Sequence, residues 1–159
     1  MNYSCRDRRN RTLIMTTKIP YSILADQDLF VAKADGLVTF DDLYQHVLMI
    51  MGDNAYKAGI NGLYDFSKVS LISGEFPKLE ALANGMSSSD VIVEKAKTAI
   101  LLPNTYQDEI HGVMEKYMAM TANSNIDYRI FTQSEFEAAA SFLGFDKLFL
   151  EGLLNFAFA

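Results

Sequence analysis

A chain of 159 residues, half of them apolar and 21% charged, with only three Pro, has the make-up of one ordinary globular domain and leaves no room for a second. One Cys excludes an internal disulfide framework, and two His with no glycine-rich phosphate loop exclude most catalytic and nucleotide-binding signatures; no apolar run reaches the ~20 residues of a membrane-spanning helix. The net charge of −6 is uneven: residues 1–18 carry Arg6, Arg8, Arg9, Arg11 and Lys18 against Asp7 alone, a balance of +4 that leaves −10 for residues 19–159 and makes the body a poor partner for nucleic acid.

The basic arm is followed only by Thr12-Leu13-Ile14-Met15 before polar residues resume, short of the roughly 7–15 apolar residues of a secretory signal, so a cytoplasmic location is expected. Residues 1–14, which hold the lone Cys5, read as a disordered or dispensable extension, with the domain proper starting at Met15 and running to residue 144. Residues 19–25 and 29–34 flank the polar triplet Asp26-Gln27-Asp28 and predict a β-hairpin, with Asp35-Gly36 ending its second strand or, as the alternative, Leu37-Val38 extending it. Thr39-x-x-Asp42 is a helix start of capping-box type; Leu43, Val47, Ile50 and Met51 then share one stripe, and Gly52 closes the helix.

Asn61-Gly62 marks a turn before a short strand, Leu63–Phe66, that ends at Ser67. A second helix is expected over Glu75–Met86, with Pro77 tolerated in its first turn. Thr98–Leu102 is continuously apolar after its first position, the mark of a central parallel strand covered on both faces. Thr105-x-x-Asp108 predicts the start of a third helix with Ile110, Val113, Met114, Tyr117 and Met118 inward. A strand over Asp127–Phe131 leads to the capping box Thr132-x-x-Glu135 and a fourth helix ending at Gly144. The order β-β-α-β-α-β-α-β-α predicts an α/β fold with a mixed, mostly parallel five-stranded sheet and about four helices.

Ten of residues 145–159 are apolar, more than one buried face of a helix requires. Phe145, Phe149 and Phe156 share one stripe and Leu150, Leu154 and Phe158 another, while Leu153 adds to the same apolar surface. This C-terminal helix is expected to join two copies, with packing on its own domain and anchoring at a membrane surface as the alternatives; Phe145, Phe149, Leu153 and Phe156 are the candidate dimer contacts.

Chemistry is sparse. His46 and His111 lie on different predicted helices without metal-ligand spacing, and both read as surface or boundary residues. No catalytic set, metal site or cofactor is expected. The segment between Phe66 and the second helix reads as a loop at the carboxyl end of a strand, where ligands and partners meet an α/β sheet. Its hydroxyls, Ser67, Ser70 and Ser73, are candidate regulatory or partner-binding residues, with turn and cap roles as the alternative.

The element order, together with Leu63-Tyr64-Asp65-Phe66-Ser67-Lys68-Val69, Gly36-Leu37-Val38-Thr39-Phe40-Asp41-Asp42-Leu43 and Ile130-Phe131-Thr132 leading to Phe142-Leu143-Gly144, resembles the STAS fold of sulphate transporters and anti-sigma-factor antagonists, in particular its small bacterial members of unknown function. The resemblance implies a non-enzymatic regulatory or protein-binding module. Family members that act as switches are phosphorylated within Asp-Ser-Ser-Gly; this chain has Leu71-Ile72-Ser73-Gly74, so Ser73 is the nearest match and one acidic residue and one serine are missing. The alternative is a carrier of a small apolar or lipid-like ligand, for which eight Met and eleven Phe supply apolar wall material.

Overall fold

The computed structural model describes residues 4–6, 11–14, 18–87 and 95–158. Seven strands, β1 (Ser4–Arg6), β2 (Arg11–Ile14), β3 (Tyr21–Leu24), β4 (Leu29–Thr39), β5 (Asn61–Ser73), β6 (Ala96–Leu102) and β7 (Ile126–Thr132), form one sheet in chain order. The five strands read from the sequence are β3–β7: β3 and β4 make the antiparallel hairpin, and the β4–β5, β5–β6 and β6–β7 pairings are parallel. β1 and β2 lie within the stretch read as a loose extension and continue the sheet antiparallel beyond β3.

Among the described residues, five helices cover the sheet: α1 (Phe40–Met51), α2 (Phe76–Ser87), α3 (Val113–Met120), α4 (Phe136–Leu143) and α5 (Lys147–Ala157). α1, α2 and α3 bury Leu43, Ile50, Leu82, Met114 and Tyr117 with Phe30, Phe66 and Ile100 of the sheet. Leu29, Val31, Leu63 and Leu101 belong to the opposite cluster, with Ala139, Ala140, Leu143, Leu150 and Ala157 of α4 and α5. β6 alternates between the two clusters, with Ile100 and Leu102 in one and Ala99 and Leu101 in the other, so its unbroken apolar run marks a strand buried on both faces.

Two strand ends differ from the sequence reading. β5 does not end at Ser67 but runs to Ser73, and β4 does not stop at Asp35-Gly36 but continues through Leu37-Val38, the alternative, to Thr39, the two pairing as far as Thr39 opposite Ser73. Register shifts between Lys33 and Asp35 and between Gly36 and Leu37 each add one residue on β5. Its inward residues are therefore Phe66, Val69 and Ile72, three apart, which hides the strand from a period-of-two reading. Gly36 sits at the second shift with φ +67°, a conformation that glycine takes without strain.

The third helix is also corrected at its start. Thr105 caps nothing there; a π-turn over Asp108–Gly112 leads into α3, and the Gln107 N–H is taken by His111 Nδ1 at 3.0 Å. His111 Nε2 faces the Pro103 carbonyl at 3.1 Å, so this imidazole fastens the β6–α3 connection and is buried, not a boundary residue.

Candidate functional site

The inward stripe of α1 carries His46 between Leu43 and Ile50. Its phase is set at the first turn, where Thr39 Oγ1 accepts the Asp42 N–H at 3.0 Å and the Asp42 carboxylate accepts the Thr39 N–H at 2.8 Å. Beneath this face, Tyr64 of β5, Thr98 and Ile100 of β6 and Tyr128 of β7 project from the sheet, while Leu82 of α2 and Met114 and Tyr117 of α3 close the sides. Together with Tyr56 and Ile60 they enclose a cavity of about 60 Å³. Met51, 39% exposed and also part of the wall, stands at its rim.

Close backbone approach shapes one wall. A Cβ at Gly62 would fall 2.2 Å from Phe30 Cζ, so only glycine lets the Phe30 ring lie over β5 and meet Tyr64 edge-on, with ring centroids 5.5 Å apart.

Two pairs of polar side chains face the cavity. His46 Nε2 and the Tyr64 hydroxyl share a hydrogen bond at 3.0 Å, and the rings meet edge-on at 5.3 Å. The hydroxyls of Tyr117 and Tyr128 lie 3.2 Å apart, again with rings edge-on. Behind His46, Tyr21 of β3 packs edge-on at 5.6 Å and donates its hydroxyl to the Asp53 carboxylate at 2.9 Å. His46 is fully buried, and its Nδ1 has no partner in good hydrogen-bond geometry.

Burial sets the protonation states. It pushes the His46 imidazole down to about 4, against a weaker upward pull from the Ile19 carbonyl, so the ring is neutral at neutral pH. Burial likewise raises the phenols of Tyr56, Tyr64, Tyr117 and Tyr128, and Tyr64 and Tyr128 are raised further by the neighbouring phenols. Among the described residues, no Asp, Glu, Lys or Arg lines the wall. The arrangement offers neutral donors and acceptors in an apolar enclosure. It offers no thiolate, phenolate or carboxylate as a nucleophile, and its one imidazole base is weakened by burial.

The serines singled out from the sequence lie elsewhere, along the extended β5 rather than on a loop. Ser67 donates its hydroxyl to Asp65 Oδ1 at 2.6 Å, Ser70 is exposed, and Ser73 ends the strand half-buried opposite Thr39. Ser67 opens onto a broad cleft on the other face of the sheet, between Lys33 and Asp65 and the helices α4 and α5. It is separate from the cavity under α1.

The C-terminal candidates lie on α5 and just before it. Asp146 caps the helix through the N–H groups of Leu148 and Phe149. Leu150 and Ala157 are fully buried, and Phe145, Leu153 and Phe156 pack half-buried against their cluster. Phe149 remains 47% exposed, stacked on Phe145 at 6.0 Å, and Leu148 is 75% exposed. The helix thus covers its own domain and still presents an apolar edge. Among the described residues, no three His, Cys, Asp or Glu side chains come together as metal ligands, and no helix is long and apolar enough to cross a membrane.

Both histidines are thus buried, which corrects their reading as surface or boundary residues: the His46 bond to Tyr64 and the His111 bonds to Gln107 and Pro103 offset part of the cost of burying an imidazole. The cavity residues Tyr56, Tyr64, Tyr117 and Tyr128 were not singled out as a site. The available signal was a polar-tipped aromatic at an inward position on several successive elements. Comparison with protein-family models, curated proteins and solved structures finds no match in any of the three.

Proposed function

We propose that this chain is a non-enzymatic binding domain that holds a small, largely apolar molecule between its sheet and α1–α3. The observation that carries the reading is the cavity itself, where Leu43, Ile50, Leu82, Ile100 and Met114 surround paired, neutral hydroxyl and imidazole groups. Apolar walls with a few convergent polar groups are the usual make-up of a ligand site. The size argues for a compact ligand rather than an acyl chain. If one water needs ~10–15 Å³ on this scale, the cavity has room for about four to six waters, the volume of roughly one aromatic ring. Isothermal titration with toluene tests the reading: saturable binding is expected in the native chain and its loss in Leu82→Phe, a variant that keeps the fold by circular dichroism and fills the space. Absence of saturable binding to the native chain overturns it.

The second reading is a STAS-like regulatory module that works through protein contacts, homodimerisation included, in the cytoplasm. It draws on the exposed apolar edge of Leu148 and Phe149 and on Tyr44 and Leu48, which lie one turn apart on the outer side of α1. Within that reading, Ser70 is the hydroxyl most open to a modifying enzyme, whereas Ser67 is engaged by Asp65. Light scattering on the native chain and on a Leu148→Lys, Phe149→Lys double variant tests the dimer. A dimer mass that falls to the monomer in the variant supports it, and a monomer mass for the native chain overturns it.

A further inference from the structure

Resting on the small-molecule reading above, we infer that the cavity selects an uncharged molecule of about one aromatic ring bearing a hydroxyl, which it anchors on the Tyr117–Tyr128 hydroxyl pair.

The pair is a polar feature with capacity to spare. Each phenol carries one proton and accepting lone pairs. The bond between Tyr117 and Tyr128, 3.2 Å long, uses one of the two protons and one lone pair. The second proton has no protein acceptor among the described residues, so the pair can donate once and accept again from a third group placed in the cavity. A hydroxyl on the ligand meets both needs at once, donating to one phenol and accepting from the other. An ether or ketone can only accept, and a hydrocarbon leaves the proton unmatched, which costs more than a hydrogen bond is worth in water. The Tyr64 hydroxyl shares one hydrogen bond with His46.

Charge is excluded by the rest of the wall. An anionic ligand would need a cation or a dense set of donors to offset its desolvation, and no Lys or Arg lines the cavity. A cationic ligand would need a carboxylate, and there is none among the described lining residues. His46 supplies no charge at neutral pH because burial keeps it neutral. The apolar body of the ligand is matched by Leu43, Ile50 and Ile100. Entry is past Met51, the flexible thioether at the rim.

The test uses the full chain with 13C-methyl-labelled methionine, since Met51 and Met114 both line the cavity and report on its occupation. Three probes of one ring are titrated at pH 7: p-cresol, toluene and p-toluate. The expected result is that p-cresol shifts both methyl signals and binds about 5–10-fold more tightly than toluene, the worth of one net hydrogen bond. p-Toluate leaves the signals unmoved up to its solubility. In the Tyr117→Phe, Tyr128→Phe double variant p-cresol affinity falls to that of toluene, whereas either single variant, which keeps one phenol, loses only part of the advantage. Equal affinity for p-cresol and toluene in the native chain overturns the hydroxyl anchor but leaves the binding domain standing. Binding of p-toluate as tight as that of p-cresol overturns the selection for an uncharged ligand. Failure of all three probes to move either methyl overturns the small-molecule reading itself.

Discussion

His46 is more easily charged in the unfolded chain than in the folded one. Its folded value of about 4 lies below the ordinary 6.5, so the unfolded state takes up the proton first as the pH falls. Stability is unaffected by this group above about pH 7 and declines between roughly pH 6.5 and 4, by about 3 kcal/mol in all. His46→Gln, which keeps a polar partner for Tyr64, is expected to flatten that part of the pH profile of Tm; an unchanged slope would show that other groups carry the acid sensitivity. Gly62 is a second pressure point. Because an added Cβ would overlap the Phe30 ring, Gly62→Ala is expected to cost roughly 1–3 kcal/mol through forced repacking, read as a lower midpoint in urea. If Phe30→Leu in the same chain restored the midpoint, the clash with that ring would be the cause.

On the scale of single elements, α5 divides into positions that differ sharply although their residue types are alike. Leu150 is fully buried, and Leu150→Ala should cost about 2–5 kcal/mol; Leu148, two residues away, is three-quarters exposed, and Leu148→Ala should change stability by less than about 0.5 kcal/mol. Chemical denaturation of the two variants checks the contrast. Elements whose signals are local could be read from the sequence: the Thr39 and Thr132 capping boxes, the left-handed Gly144 that ends α4, and the double-sided apolar run of β6 all occur where the residues indicate. The elements that misled are those whose form depends on a neighbour. β5 keeps going because β4 pairs with it through two bulges, and a bulge is a property of two strands rather than of one. The start of α3 is likewise fixed by His111 reaching back to Gln107 and Pro103, not by the Thr105 that local spacing favours. The site was legible only in pieces: Tyr117 stood out as an inward residue, but its hydroxyl partner is on β7, and nothing in the chain between them announces the pairing.

At the scale of the molecule, the sheet separates two interiors of different character. The side under α1–α3 combines large aliphatic residues with the tyrosine and histidine pairs and has space left over, whereas the side under α4 and α5 is built from Leu, Val, Ala and Phe. Backbone amides of β5 and β6, flanked by strands and covered on both faces, should exchange with solvent most slowly, and those of the edge strand β7 sooner; hydrogen exchange resolved by peptide would show the opposite order if the sheet opened from its centre. The sequential order of the strands also bears on how the protein is made. Every pairing joins strands adjacent in the chain, so a strand leaving the ribosome always finds its partner already emerged and its own far edge vacant for the next. The sheet can therefore be laid down in the direction of synthesis with no strand waiting for a distant mate. Leu29, Val31, Leu63 and Leu101 must wait, uncovered on their own side until α4 and α5 come across them, and that interval is when the nascent chain has most need of a chaperone.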